Sequence, residues 1–208
     1  MRRHASHTRT ALTLAAAGVL SATLVPATAS QATADSECDN AAAYYDRSPG
    51  GGTGTLGTRQ ALVCLINAER ARHGLPALTY NQSLTDAAFQ HTDQAVRLKW
   101  WGPGKDSHTN PRTGSTPQSR IKAAGYCPNP RSWKISEITY TGWGGRGTPR
   151  EAVNWWVNVS TWGHRQIVLD PSLREIGRWG LGGAADPAGV GASGAGTYVV
   201  TFGSCQQA

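Results

Sequence analysis

Four isolated cysteines set the first constraint on this 208-residue chain: Cys38, Cys64, Cys127 and Cys205 are widely spaced, and none sits in a Cys-x-x-Cys pair. That spacing argues against a zinc ribbon, whereas an even number of cysteines in an exported chain favours disulfides. The N-terminus has the marks of export. Arg2, Arg3 and Arg9 precede an apolar run from Ala11 to Val25, Pro26 ends it, and Ala27-Thr28-Ala29 offers a small-x-small cleavage pattern. Residues 1–29 are therefore expected to be a signal peptide, and the mature protein to be secreted and extracellular. The apolar run is too short for an anchor, so no transmembrane span is expected in the mature chain. Three disulfide connectivities are open. Cys38–Cys64 with Cys127–Cys205 is favoured, since the first would staple an N-terminal arm to the first helix and the second would tie a mid-chain loop to the last strand.

The formal charge of +7 falls to +4 once cleavage after Ala29 removes three arginines. So weak a charge leaves no footprint for a phosphate backbone, and nucleic acid is excluded as a partner. Residues 30–57, with Ser48-Pro49-Gly50-Gly51-Gly52-Thr53-Gly54, read as a flexible arm and Gly-rich linker. Residues 58–208 then form one domain.

Within it, Leu62, Leu65 and Ile66 give an apolar stripe to a helix over 58–73, closed by Gly74 and Pro76. A second helix follows Tyr80, with Ser83 and Asp86 as its capping box. A short one spans about 118–124. A fourth opens with Thr148 as cap, Pro149 at N1 and Glu151 at N3. Strands are expected at 137–141, 176–182 and 197–203. Helices first and strands late predict an α+β layered fold. Gly189-Val190-Gly191-Ala192-Ser193-Gly194 matches GxGxxG, but a strand follows it rather than a helix, so it reads as a hairpin loop.

Three polar residues fall outside the periodic core patterns: His108, Glu137 and His164. Two imidazoles and a carboxylate suffice to hold Zn²⁺ with a fourth position for water, or to do acid–base work. Ser107 and Ser160 lack the Gly-x-Ser-x-Gly elbow of a hydrolase nucleophile. His91, on an apolar helix face, reads as a core histidine, and Glu69 and Arg70 as structural ion-pairing groups.

Several stretches occur in an order that resembles the CAP superfamily of SCP-like extracellular domains, in its short bacterial branch. They are Leu65-Ile66-Asn67-Ala68-Glu69-Arg70, Gly74-Leu75-Pro76, Ser107-His108, Arg120 with Ala124-Gly125-Tyr126, Gly163-His164-Arg165 and Ile176-Gly177. The resemblance implies a three-layer α-β-α sandwich with a central antiparallel sheet. It also implies a cleft of two His and two acids, able to hold a divalent metal such as Zn²⁺. By motif match, His108, Glu137 and His164 take three of those places. The second acid has no counterpart in Trp155-Trp156-Val157-Asn158-Val159-Ser160, and Ile138 follows Glu137 where relatives often carry Asn. Trp101, Trp143, Trp162 and Ser160 are the candidate lining of the cleft. The expected function is a secreted module binding an extracellular small apolar molecule, lipid or glycan. The alternative is a metal-assisted or His/Glu-dependent hydrolase of peptide or cell-wall polymer.

Overall fold

Alternation along the C-terminal strand sorts the chain into layers. In the computed structural model, which describes residues 38–50 and 53–208, a four-stranded sheet runs in the order β1-β3-β4-β2. The expected signal peptide lies outside the described residues. β4 (Gly196–Gln207) pairs antiparallel with both β2 (Pro130–Gly142) and β3 (Glu175–Gly182). β1 (Thr79–Tyr80) lies parallel to β3, which makes the sheet mixed. The three expected strands are present and longer than anticipated; β1 is too short to show a period. The GxGxxG stretch lies in the β3–β4 connection, as its reading as a hairpin loop requires.

Tyr198, Val200 and Phe202 of β4 point into one core with Leu62 and Ile66 of α1 (Thr53–Arg72), Val153 of α4 (Pro149–Asn154), Trp156 and Val168. Trp156 belongs to a π-helical turn, Trp155–Val159, and Val168 to α5 (His164–Val168). Complete burial of side chains such as Leu62 and Ile66 contributes on the order of 1.5–3 kcal/mol each. The opposite face of the sheet is covered by α2 (Gln82–Leu98) and α3 (Pro117–Ala123), through Leu84, Ala87 and Ile121. α2 lies close on β3 because Gly177 has no side chain: a Cβ there would come within 2.2 Å of the Leu84 carbonyl carbon.

Local signals set most helix starts. Thr148 Oγ1 accepts the Glu151 N–H at 3.2 Å. Thr116 and Ser119 close a reciprocal capping box at the start of α3. α2 is capped by Asn81 rather than Ser83: Asn81 Oδ1 accepts the Leu84 N–H at 3.1 Å while its Nδ2 donates to Glu175 at 2.7 Å. Both bonds engage one amide, tying the helix start to β3.

Where they are described, residues of the arm before 58 make defined contacts with the domain. α1 begins at Thr53, and Gly57 serves a close contact, since a Cβ there would lie 2.5 Å from the Tyr44 ring. Ala41 is buried with Ala61 and Cys64, and Arg150 grips Asp46 at 2.7 and 3.1 Å. The Cys38–Cys64 bridge makes these contacts intramolecular at short range. Both favoured disulfides are formed, with Cα–Cα distances of 5.4 and 5.7 Å. Their sequence separations of 26 and 78 residues correspond to about 3.5 and 4.5 kcal/mol in the chain-entropy model.

Arg70 is not an ion-pairing group. It is fully buried and donates to the carbonyls of Pro76, Val168, Asp170 and Leu173 at 2.8 to 3.5 Å, so it pins the α5–β3 loop. Glu69 does pair, with Arg72, with His73 at 3.3 Å and with Arg165 at 3.7 Å.

Candidate functional site

The pleat of β2 that turns Ile138 toward α1 turns Glu137 the other way, under α2 and α3, where its side chain is 1% exposed. A carboxylate buried so deeply needs a cation. α3 delivers one. Arg120 Nη2 donates to both Glu137 oxygens, at 3.0 and 2.9 Å, and to the His108 carbonyl at 2.9 Å; Nη1 donates to the Ser115 carbonyl at 2.8 Å. The pair therefore anchors the loop that carries His108.

His108 Nδ1 lies 3.0 Å from Glu137 Oε1. The carboxylate has no hydrogen to offer, so Nδ1 donates, and in the neutral form of the ring the Nε2 lone pair lies on the other side. The His108 side chain is 35% exposed, in contrast to its buried partners. His91, from α2, completes the cluster: its Nε2 donates to the Ser107 carbonyl at 2.7 Å and stands 3.9 Å from Glu137 Oε1.

Burial pushes the Glu137 carboxyl upward, but the His108 hydrogen bond and the Arg120 charge outweigh it and hold the group below the ordinary carboxylate value. Burial lowers the His91 pKa despite the attraction of Glu137, so that ring stays neutral at pH 7.

His164 approaches by a different route. It opens α5 after Gly163, whose φ of 84° suits glycine. Its Nδ1 is 2.7 Å from Ser160 Oγ, which also accepts the Trp162 N–H at 3.2 Å. Burial, aided by the nearby His108 charge, brings the His164 pKa down to about 4. His108 and His164 thus sense each other electrostatically, but the hydrogen bonds of His164 run to Ser160 and not to Glu137.

The profile of the CAP family, the Cysteine-rich secretory protein family, matches residues 63–178, more than half of the chain. The protein belongs to this family. Its fold is similar to that of an extracellular SCP-domain protein from Bacillus anthracis, at 21% identity and a TM-score of 0.50, over 71% of this chain and 40% of that one. An outer surface protein of Borrelia burgdorferi is similar at 21% identity and a TM-score of 0.52, over 70% of this chain and 90% of that one. The chain thus spans well under half of the Bacillus protein's length. No curated protein matches it. The two disulfides and the secretory family agree with an extracellular protein.

The missing second acid bears on whether this CAP domain could hold Zn²⁺. Among the described residues no three His, Cys, Asp or Glu side chains are arranged to hold a metal ion. The chemistry explains why. Both Glu137 oxygens are bound by Arg120, whose guanidinium already supplies the positive charge a cation would bring, so this carboxylate is not free to act as a ligand.

The tryptophans divide. Trp101 is 3% exposed and packs in the α2-side core with Ala88, Ala95 and Val199, so it is a packing residue. Trp143 lies against Gly189 in the β3–β4 loop. Trp162 is 73% exposed and meets Trp155 edge-on at 6.4 Å, while Trp155 lies 5.1 Å from the His164 ring. Sequence reasoning gave Arg120 and His91 no place in the cluster. Arg120 carried one usable signal: it sits beside the core residue Ile121 on a helix too short to hide a charge without a partner.

Proposed function

We propose that this CAP domain is an extracellular binding module whose site is built around the outward face of His108, with His164, Ser160, Trp155 and Trp162 beside it. Its ligand is a small apolar molecule, a lipid or a glycan, and of these the residues favour a glycan. The observation that carries this reading is the clamp behind His108. A buried Glu137–Arg120 pair fixes the ring from one side, and a fixed polar group at a water-accessible position costs little entropy when it binds. The exposed Trp162 ring, edge-on to Trp155, offers a flat apolar face of the kind that stacks on sugar rings, while imidazole and hydroxyl groups nearby suit sugar hydroxyls.

A second reading has its own support. A buried carboxylate holding Nδ1 of an imidazole is the base-and-orienter arrangement of hydrolases, and such an enzyme would act on peptide or cell-wall polymer with His108 as general base.

Titration calorimetry with soluble cell-wall oligosaccharides and with lysophospholipid micelles tests the binding reading. Saturable binding that is lost in both His108→Gln and Trp162→Ala, with melting temperature retained, is expected. Binding indifferent to both changes would refute the site. Turnover of the same oligosaccharide by wild type, abolished in His108→Gln, would favour the hydrolase.

A further inference from the structure

The edge of the sheet remote from His108 carries a second constellation. β1 pairs only with Glu175 and Ile176, so among the described strands none covers β3 from Gly177 to Gly182. Side chains wrap that edge instead. The Arg59 guanidinium of α1 lies 3.0 Å from the centroid of the Trp179 ring, and its Nε reaches the Gly180 carbonyl at 3.4 Å. Phe89 packs against the same indole at 4.7 Å. Arg178 sits over the Tyr80 ring at 4.5 Å and donates to Gln60 at 3.1 Å.

A charged side chain over an exposed strand edge discourages pairing with another chain, and one cation does that job. A second lies beside it, near enough that the Arg178 charge disfavours that of Arg59. Burial and the Arg178 charge together lower the Arg59 pKa to about 10. Among the described residues no carboxylate forms an ion pair with Arg59, and only its Nε is bonded. Its terminal amino groups remain as donors, held in a plane by the indole beneath. A guanidinium fixed in this way presents a rigid fork suited to an oxyanion.

We propose that Arg59 and Arg178 form an oxyanion-binding site on the β3 edge for a phosphate-type group, with Trp179, Phe89 and Tyr80 as the apolar wall on which its carrier rests. An incoming anion would bond the Arg59 fork and offset the Arg178 charge that bears on it. This site stands apart from the His108 cluster, and the proposal does not rest on the function proposed for it.

The test uses the folded, disulfide-bonded protein at about 10 mM ionic strength, where charges interact over roughly 30 Å. Inorganic phosphate and synthetic poly(glycerol phosphate) are titrated separately, with calorimetry and the ¹⁵Nε–H signals of the arginines as readouts. Saturable binding is expected, with a selective shift of the Arg59 Nε–H signal. Affinity should weaken about tenfold in Arg59→Gln, and less in Arg59→Lys, which keeps the charge but loses the fork. Arg112→Gln, in an exposed loop, should bind as wild type does. Phosphate binding without a gain for the polymer identifies a free anion as ligand, and tighter polymer binding identifies a polymer-borne one. Binding unchanged in Arg59→Gln, or no saturation by either probe, would overturn the proposal; equal thermal melts exclude misfolding as the cause.

Discussion

Replacing Glu137 by Gln preserves shape and volume but removes the charge that neutralises Arg120. The side chains involved are 1% and 4% exposed, and two hydrogen bonds of 3.0 and 2.9 Å join them. Breaking a buried pair on one side leaves an unpaired buried charge and costs about 3–5 kcal/mol. The Gln carbonyl still accepts one bond from Arg120, so the lower end, about 3 kcal/mol, is expected. For a domain of this size that corresponds to a fall in Tm of roughly 6–12 °C. The double variant Glu137→Met, Arg120→Met should be less destabilised than Glu137→Gln, because no charge remains stranded. The pH dependence carries a sign. Glu137 has its folded pKa held below the unfolded value of about 4.3, so its contribution is present above that pH and lost as pH falls through the folded pKa. Urea unfolding followed by tryptophan fluorescence, at pH 7 and again near pH 3, measures both effects. A difference between wild type and Glu137→Gln below about 1 kcal/mol at pH 7 would mean that water reaches the pair, and the argument for a clamped His108 would fail with it.

Two further outcomes follow from the same coordinates. His164 has its folded pKa lowered to about 4, below the unfolded value of about 6.5, so the unfolded chain binds more protons between these limits. Stability should therefore fall as pH drops from about 6.5 toward 4, by no more than roughly 1.4 kcal/mol per pH unit from this residue, and His164→Gln should flatten that decline in urea titrations. Gly177→Ala would place a methyl 2.2 Å from the Leu84 carbonyl carbon and 2.3 Å from the Thr85 nitrogen, both backbone atoms that cannot swing aside. A loss of about 3 kcal/mol or more, or failure to fold, is expected by circular dichroism, and a variant as stable as wild type would contradict the close α2–β3 packing.

Much of this protein was legible along the chain because the relevant physics is local. The stripe of Leu62 and Ile66, the Thr148 cap with Pro149, and the strand over 197–203 each rest on signals within a turn or two of backbone, and each is found in the fold. Four cysteines in an exported chain allow three pairings, and the favoured one is formed. Where a contact spans distant segments, periodicity was silent. Asn81 took the α2 cap because it also meets Glu175 of β3, and Gly57 faces the Tyr44 ring rather than loosening a linker.

The candidate site shows the same division. Residue type alone marked His108, Glu137 and His164 as chemically capable, but only the packing of α3 beneath β2 decided that Arg120 pairs with Glu137. Arg120 precedes Glu137 by 17 residues, and nothing in the intervening chain encodes that meeting. Burial then holds His91 and His164 neutral, while the His108 hydrogen bond and the Arg120 charge keep Glu137 charged against it. Short-range patterns specify elements, whereas the energy of a buried charge depends on everything packed around it, which exists only once the chain has folded.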